Sequence, residues 1–142
     1  MKKLVSLMLS LVMVCSMSVS VFAAPVVRGF SDVPKSHWAY TSIMEMVEQG
    51  LFAGTTAPDA NGIGYFDVNG KMTRGAFLTV IARTLFANEL SSMNTSSPWY
   101  ANAYNLCVKN GIISETECKL DAMEGVMTRE ELAKVLVRAV PY

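Results

Sequence analysis

Two Thr-Arg pairs are the residues of this sequence best suited to bind a charged ligand. Thr73-Arg74 and Thr128-Arg129 each stand at the predicted start of a helix. A guanidinium group is permanently charged and can hold a carboxylate through two parallel hydrogen bonds. The N–H groups of the same helical turn favour an anion there as well. From the residues alone, the favoured interpretation is that both are exposed first-turn residues of ordinary helices. Arg83 and Arg138 follow nine residues later and are expected to be solvated or salt-bridged.

The remaining polar residues form no recognisable catalytic or metal-binding pattern. His37 is the only histidine, which removes most catalytic dyads and metal clusters. The stretches at 59–62 and 67–70 both follow the pattern Asp-x-Asn-Gly, but they lack the full ligand set of a calcium loop, so we interpret them as turns. The sequence therefore predicts a protein that is not an enzyme and holds no metal or cofactor. A small exported hydrolase is the alternative.

The same spacing recurs around the two tryptophans, Trp38 and Trp99, which lie 61 residues apart. Twelve residues after each of them comes a glycine, Gly50 or Gly111, at the end of a predicted helix. A Thr-Arg pair then follows in both copies. Repeated spacing of this kind indicates a duplicated structural unit. The tryptophans are predicted to pack in the core, with one edge able to line a cleft.

Each unit has the pattern helix, loop, helix. Ser36 is the predicted cap of the first helix, and Ser97 with Pro98 is the predicted start of its counterpart. Thr128 and Glu131 form a predicted capping box at the last helix, whereas Ala76 leaves only half of that box in the first unit. One helix pair buries too little apolar surface to be stable alone, so the units must pack on each other or on a further copy. The predicted buried stripes are Phe77, Val80, Ile81 and Leu85 in one helix, and Tyr100, Ala103, Tyr104, Cys107 and Val108 in another.

The first residues have the pattern of an export signal. Lys2-Lys3 precede an apolar run that ends near Phe22, and cleavage is predicted after Ala23, with Ala24 as the second choice. A membrane anchor is the alternative. Loss of both lysines leaves ten basic and twelve acidic residues. A nearly neutral chain without a basic cluster predicts neither a nucleic acid nor an anionic membrane as partner.

Two cysteines, Cys107 and Cys118, remain after removal of the signal. In an exported protein such a pair could form a disulfide. Two separate thiols, with Cys107 packed on the apolar face of its helix, are equally compatible with the pattern. The spacing matches no zinc site.

The chain resembles the S-layer homology (SLH) repeats, which hold exported proteins on bacterial cell walls. The motifs that carry the resemblance are Phe30-x-Asp32-Val33 with Trp38, the segment from Gly50 to Gly54, and Met72-Thr73-Arg74. Trp99 and Met127-Thr128-Arg129-Glu130-Glu131 carry it in the second copy. It covers roughly residues 30 to 140, with two repeats where that family commonly has three.

The resemblance implies an all-α bundle of helix-loop-helix repeats that binds a secondary cell-wall polysaccharide, often one with a pyruvyl ketal. The implied location is the cell surface, with no membrane contact after signal cleavage. The alternative is an assembly protein that pairs with other SLH-type repeats. The implied carbohydrate-binding residues are Asp32, Trp38, Gly54, Arg74, Trp99 and Arg129.

These patterns together divide the chain into five segments. The division rests on the export signal, the two copies of the helix pair and the Asn- and Ser-rich stretch between them. The segments are a signal peptide at 1–23, a leader at 24–29, a first repeat at 30–86, a linker at 87–97 and a second repeat at 98–142.

Overall fold

A computed structural model describes residues 26–141, so the predicted signal peptide at 1–23 lies outside the described residues. The described chain is mostly helical, in agreement with the all-α prediction, and none of its helices is long and apolar enough to cross a membrane. A parallel pair of two-residue strands, β1 and β2, was not predicted. The elements are β1 Gly29–Phe30, α1 Tyr40–Glu48, β2 Ile63–Gly64, α2 Arg74–Leu85, α3 Ala87–Ser92, α4 Ala101–Lys109 and α5 Arg129–Ala139, with a 3₁₀ turn at Leu120–Ala122.

The helices that precede Gly50 and Gly111 end in the same backbone conformation. Gly50 and Gly111 end α1 and α4 with φ of +73° and +71°, the left-handed conformation predicted for both. The N–H of Leu51 donates to the carbonyl of Met46, and 61 residues later Ile112 donates to Cys107 in the same way. The two first helices of the repeats therefore end by the same hydrogen-bonding scheme.

The predicted caps of the second helices are confirmed, whereas those of the first helices are wrong. Thr73 and Thr128 cap α2 and α5, and Thr128 with Glu131 forms the full capping box. The helices α1 and α4 begin four residues later than Ser36 and Ser97, after backbone turns that already satisfy the leading N–H groups. At α4 the hydroxyl that accepts from the helix, from the N–H of Asn102, belongs to Ser96.

The stretch at 87–97 contains helix α3, which the polar composition did not suggest. Helix α3 follows α2 directly after Phe86, whose side chain is buried in the core. Lys109 of α4 forms an ion pair of 2.9 Å with Glu89 of α3. This segment is therefore attached to the second repeat through side-chain contacts as well as through the chain.

The most extensive helix packing joins the two repeats to each other. Helix α2 of the first repeat lies along α4 of the second, and the thiol of Cys107 contacts the carbonyl of Leu78 at 3.9 Å. Ile81 is buried as predicted, but Leu78 and Ala82 form the centre of the contact. The predicted stripe of α4 is confirmed, with Val108 partly buried at its edge. Among residues 26–141, neither α1 nor α5 has a helix packed along it to a comparable extent.

Two apolar clusters result from this arrangement. The larger one joins α2, α4 and α5 and includes Met123, which is fully buried. The smaller one lies around Phe30, Val33 and Ile43 and supports the loop after α1. Phe66 belongs to the smaller cluster, with its ring centroid 5.1 Å from that of Phe30. The loop before α2 is thereby held in place, and it forms one wall of the cleft described next.

Candidate functional site

The larger of two clefts, which we call cleft A, has a volume of about 640 Å³ and lies over one side of α2. Its walls come from the first repeat, except for two residues of the second, Glu124 and Trp99, of which Trp99 is 55% exposed. The cleft therefore joins residues of both repeats. The α2 side of the cleft consists of Met72, Thr73, Ala76, Thr79, Val80 and Arg83, and the loop side consists of residues 51–55 and 66–68.

A smaller cleft of about 230 Å³, which we call cleft B, lies over α5. Its α5 side consists of Met127, Thr128, Glu131, Lys134, Val135 and Arg138, each 55 residues after a residue of cleft A. Arg74 reaches this cleft from the first repeat. The two clefts are therefore corresponding places in the two repeats, with different side chains at the same positions.

Arg83 is the more buried of the two cations that line cleft A. Its Nη1 donates to the carbonyl of Leu51 at 2.9 Å, and no carboxylate of the described residues pairs with it. Burial lowers its pKa below the usual value for an arginine, although the group stays charged. The other charged groups of the cleft, Lys71, Asp67 and Glu124, are exposed at its rim and are screened by water. An anion that enters cleft A would therefore meet an unneutralised guanidinium.

The corresponding Arg138 of cleft B is already neutralised. It makes the equivalent bond to the carbonyl of Ile112 at 3.4 Å, but it also forms two charged hydrogen bonds with Glu117, at 2.6 and 2.9 Å. The guanidinium of Arg138 lowers the pKa of Glu117 to about 2. The sequence predicted the same environment for Arg83 and Arg138, either solvated or salt-bridged. The two arginines differ because Glu117 pairs with Arg138, and the fold brings Glu117 close to Arg138 from 21 residues away in the sequence.

Arg74 also has a carboxylate partner within the protein. Its Nε donates to Oε1 of Glu131 at 2.8 Å, and its Nη1 donates to the carbonyl of Ala122 at 3.2 Å. The hydrogen bond that Arg74 donates to Glu131 raises the pKa of Arg74. The arginine therefore links the starts of α2 and α5 inside cleft B, so an incoming carboxylate would have to compete with Glu131.

Arg129 and Trp38 lie on exposed surfaces and line neither cleft. Arg129 is exposed at the start of α5, with no hydrogen bond or ion pair to the described residues. Trp38, 92% exposed, precedes α1, and its ring centroid lies 5.7 Å from that of His37. The structure thus brings Gly54 and Trp99 together in cleft A, places Arg74 in cleft B, and leaves Arg129 and Trp38 outside both. The expectation that the tryptophans are core residues is wrong for Trp38 and only partly right for Trp99.

Asp32 fixes the loop wall of cleft A through hydrogen bonds to the backbone. Its two carboxylate oxygens accept from the N–H groups of Phe66 and Val68, each at 2.9 Å. Burial alone would raise the pKa of Asp32, but these hydrogen bonds lower it below its usual value. The carboxylate therefore fixes the backbone of two of the loop residues that line the cleft. It does not itself line the cleft.

Gly54 allows the chain to pass very close to that wall. Its φ is +77°, and a Cβ added there would lie 2.5 Å from a ring carbon of Phe30 and 2.7 Å from the carbonyl oxygen of Tyr65. Only glycine combines the left-handed conformation with this spacing. The position is thus required for the shape of cleft A.

Both cysteines are free thiols in the structure, so the disulfide alternative is not present. Burial raises the pKa of Cys107 to about 12, which makes it an unreactive packing residue. Within residues 26–141, no cluster of His, Cys, Asp and Glu is arranged to hold a metal ion.

Comparison with known proteins adds a family and several relatives. Residues 29–78 match the model of the S-layer homology domain. The chain is similar to the surface-layer 125 kDa protein of Lysinibacillus sphaericus, with 27% identity over 78% of this chain and 10% of that protein. An amylopullulanase of Thermoanaerobacterium thermosulfurigenes is 30% identical over 79% of the chain and 6% of the enzyme. An endoglucanase of Bacillus sp. strain KSM-635 is 27% identical over 80% of the chain and 12% of the enzyme.

Two features of these alignments bear on the second repeat and on activity. Each alignment covers more of the chain than residues 1–78 contain, so the similarity reaches past the matched domain into the second repeat. The chain spans about a tenth of the length of these relatives, which are named for different activities. The shared segment is therefore common to proteins that otherwise differ.

Proposed function

We propose, from the premise that this chain carries an S-layer homology domain, that it is a non-enzymatic module that binds an anionic cell-wall polysaccharide in cleft A. Domains of this family anchor proteins to the cell wall, so association with the cell surface follows from the family itself. The polysaccharide and its site are our inference. Secretion through the predicted signal peptide is part of the same proposal.

The unneutralised Arg83 is the observation that carries the assignment to cleft A. A half-buried guanidinium without a carboxylate partner attracts an anion strongly, because the surrounding protein screens it less than water would. Trp99 offers an apolar ring at the same cleft, suited to the face of a sugar. In this proposal the acidic group of the polymer binds at Arg83 while a sugar ring packs on Trp99.

The other residues implied by the family resemblance have supporting roles in this proposal. Gly54 and Asp32 shape and fix the wall of cleft A. Arg74 and Arg129 are further cations that a long anionic polymer could reach outside that cleft, with Arg74 weakened by its pairing to Glu131. The pyruvyl ketal is one carboxylate-bearing group of suitable chemistry.

The absence of enzymatic activity in this proposal is supported by the relatives. A surface-layer protein, an amylopullulanase and an endoglucanase share this segment, although they are named for different activities. A segment common to such different proteins is better explained by attachment than by one reaction.

The test is sedimentation of the purified protein with isolated cell walls, before and after chemical removal of the wall polysaccharide. We expect binding to intact walls and release from stripped walls. Trp99→Ala should lose most of the binding, because it removes the ring that lines cleft A. Trp38→Ala is the matched control, since Trp38 is exposed and lines neither cleft.

Arginine variants separate the candidate cations. Arg83→Gln should weaken binding more than Arg74→Ala and Arg129→Ala combined, with circular dichroism used to verify that each variant is folded. Equal binding to stripped and intact walls would contradict the polysaccharide as ligand. Loss of binding only in the Arg74 and Arg129 variants would move the site away from cleft A.

A further inference from the structure

Three Asn-Gly pairs occur in the sequence, at 61–62, 69–70 and 110–111. An asparagine in this dipeptide loses its side-chain amide readily, because glycine has no side chain to shield the backbone nitrogen that attacks it. Asparagine is accordingly among the thermolabile residues of proteins. The dipeptide is the same at all three places, so the fold decides which of them reacts.

The first pair is locked by hydrogen bonds and by packing. The N–H of Asn61 and that of Ile63 both donate to Oδ1 of Asp59 at 2.8 Å. The N–H of Gly62 donates to the carbonyl of Asp59 at 2.9 Å. Gly62 is buried, and its own carbonyl accepts from the N–H of Arg28 at 2.7 Å. The backbone nitrogen of Gly62 is therefore held away from a reaction with the side chain of Asn61.

The third pair is held at the end of α4. The side-chain amide of Asn110 donates to the carbonyl of Leu106 at 2.9 Å, and the backbone N–H of Asn110 donates to the same carbonyl at 3.1 Å. The N–H of Gly111 donates to the carbonyl of Val108 at 3.0 Å. A reaction between Asn110 and Gly111 would have to break the hydrogen bonds that end the helix.

The second pair lies in an exposed turn with little to restrain it. Asn69 and Gly70 are both exposed, and the side chain of Asn69 makes no hydrogen bond to the described residues. The N–H of Gly70 donates to the carbonyl of Asp67 at 2.8 Å. A side chain at position 70 would overlap the carboxylate of Asp67, so the turn requires glycine there. The shape of the loop thus keeps the reactive dipeptide in an accessible place.

We propose that Asn69 is a site of spontaneous deamidation and that the fold protects Asn61 and Asn110 from the same reaction. The backbone nitrogen of Gly70, after losing its proton, bonds to Cγ of Asn69, and the side-chain nitrogen leaves as ammonia with that proton. Water then breaks one of the two carbonyl C–N bonds of the cyclic imide. Cleavage at Cγ gives an aspartate. Cleavage at the backbone carbonyl carbon gives an isoaspartate, in which the main chain runs through the former side chain.

The products change the wall of cleft A. Residues 70–72 line the cleft, and the chain is fixed on both sides of them, by the hydrogen bond from Val68 to Asp32 and by the cap of α2 at Thr73. An isoaspartate inserts one more main-chain carbon between these fixed points. Both products add a carboxylate beside the cleft that holds Arg83, and this charge opposes an anionic ligand. Wall binding should therefore fall as the protein ages, a consequence that rests on the proposed function, whereas the modification itself does not.

The modification is tested by incubating the purified protein at mildly alkaline pH, where the backbone nitrogen loses its proton more readily. Tandem mass spectrometry of its peptides then identifies the converted residues over time. We expect conversion at position 69 while positions 61 and 110 stay unchanged, and conversion of all three in protein unfolded by guanidinium chloride. Conversion at 61 or 110 as fast as at 69 in the folded protein overturns the proposal, and so does a folded protein that keeps Asn69 intact.

Asn69→Gln is the matched control for the effect on binding, because glutamine keeps the amide but forms its larger cyclic imide much more slowly. We expect the aged unmodified protein to lose sedimentation with isolated walls in proportion to the fraction converted, and the aged variant to keep it. An equal loss in both aged proteins overturns the effect on cleft A. If the fresh protein does not bind walls, the proposed function is contradicted, and the identity of the converted residues still decides the modification.

Discussion

Cleft A and cleft B occupy corresponding places in the two repeats, and their charged side chains make them different. The α2 residues Ala76 and Thr79 of cleft A are replaced in cleft B by Glu131 and Lys134. Glu131 pairs with Arg74, Lys134 pairs with Glu130, and Arg138 pairs with Glu117. Cleft B has its charges satisfied within the protein, whereas cleft A keeps Arg83 without a carboxylate partner. The two clefts therefore share backbone features, but the charged side chains of cleft B pair within the protein, whereas Arg83 of cleft A has no carboxylate partner among the described residues.

The largest expected effect on stability comes from adding a side chain at Gly54, where the backbone passes close to Phe30 and Tyr65. Gly54→Ala should lower the free energy of unfolding by about 3 kcal/mol, because it combines left-handed strain with overlap against Phe30 and Tyr65. Gly50→Ala is the control, since Gly50 has a similar φ but open space around it, and should cost about 1 kcal/mol. Urea denaturation measures both. Equal losses would mean that the close packing at Gly54 contributes nothing.

A smaller loss is expected when the wall of cleft A loses its carboxylate. Asp32→Asn should cost about 2 kcal/mol at neutral pH, because an amide offers one oxygen where Asp32 accepts two N–H groups. The pKa of Asp32 is lowered in the folded state, so its contribution is full above its ordinary pKa and is lost as the pH falls through the folded value. Denaturation from pH 7 to pH 2 should accordingly show a flatter pH dependence in the variant. Glu45→Gln, an exposed change on α1, should keep the pH dependence of the original protein.

The local parts of both clefts could be predicted from the sequence, because the signals that set them lie within a few residues. Gly50 and Gly111 end their helices as predicted, and Thr73 and Thr128 cap theirs. The start of α1 was misplaced at Ser36 because a backbone turn at His37 replaces the side-chain cap, and no local signal marks that choice.

The pairing of charges could not be predicted, because it depends on distant parts of the chain. Arg74 meets Glu131 across 57 residues, and Arg138 meets Glu117 across 21. Arg83 has no such partner, and nothing near it in the sequence distinguishes it from Arg138. A signal was available only for the pairing of Arg74: the second repeat has a glutamate at 131, where the first has an alanine at the matching position 76.

Two substitutions of Glu131 separate its role as a helix cap from its ion pair in cleft B, and both should have a smaller effect than the changes at Gly54 and Asp32. Glu131→Ala removes the side chain that accepts hydrogen bonds from the N–H of Thr128 and from Arg74. It should lower the free energy of unfolding by about 1.5 kcal/mol. Glu131→Gln keeps a capping oxygen and removes the charge, so about half of that loss is expected, because the pair is partly exposed and screened. Thermal denaturation at low and high salt measures both. If the stability difference between the unmodified protein and Glu131→Gln is the same at low and high salt, the ion pair contributes nothing to stability.

The smallest effect on stability is expected when Ala76 of cleft A is replaced by glutamate, the residue at the matching position 131 of cleft B. This change compares the two clefts most directly. Ala76→Glu completes a capping box with Thr73 and should stabilise the protein by about 0.5 kcal/mol. It also places a carboxylate on the lining of cleft A, so wall binding should fall although the fold improves. Ala76→Gln is the matched control, because it can complete the same box without the charge and should keep binding. If both variants bind walls equally well, repulsion between like charges plays no part in cleft A, and the polymer either carries no anion there or binds elsewhere.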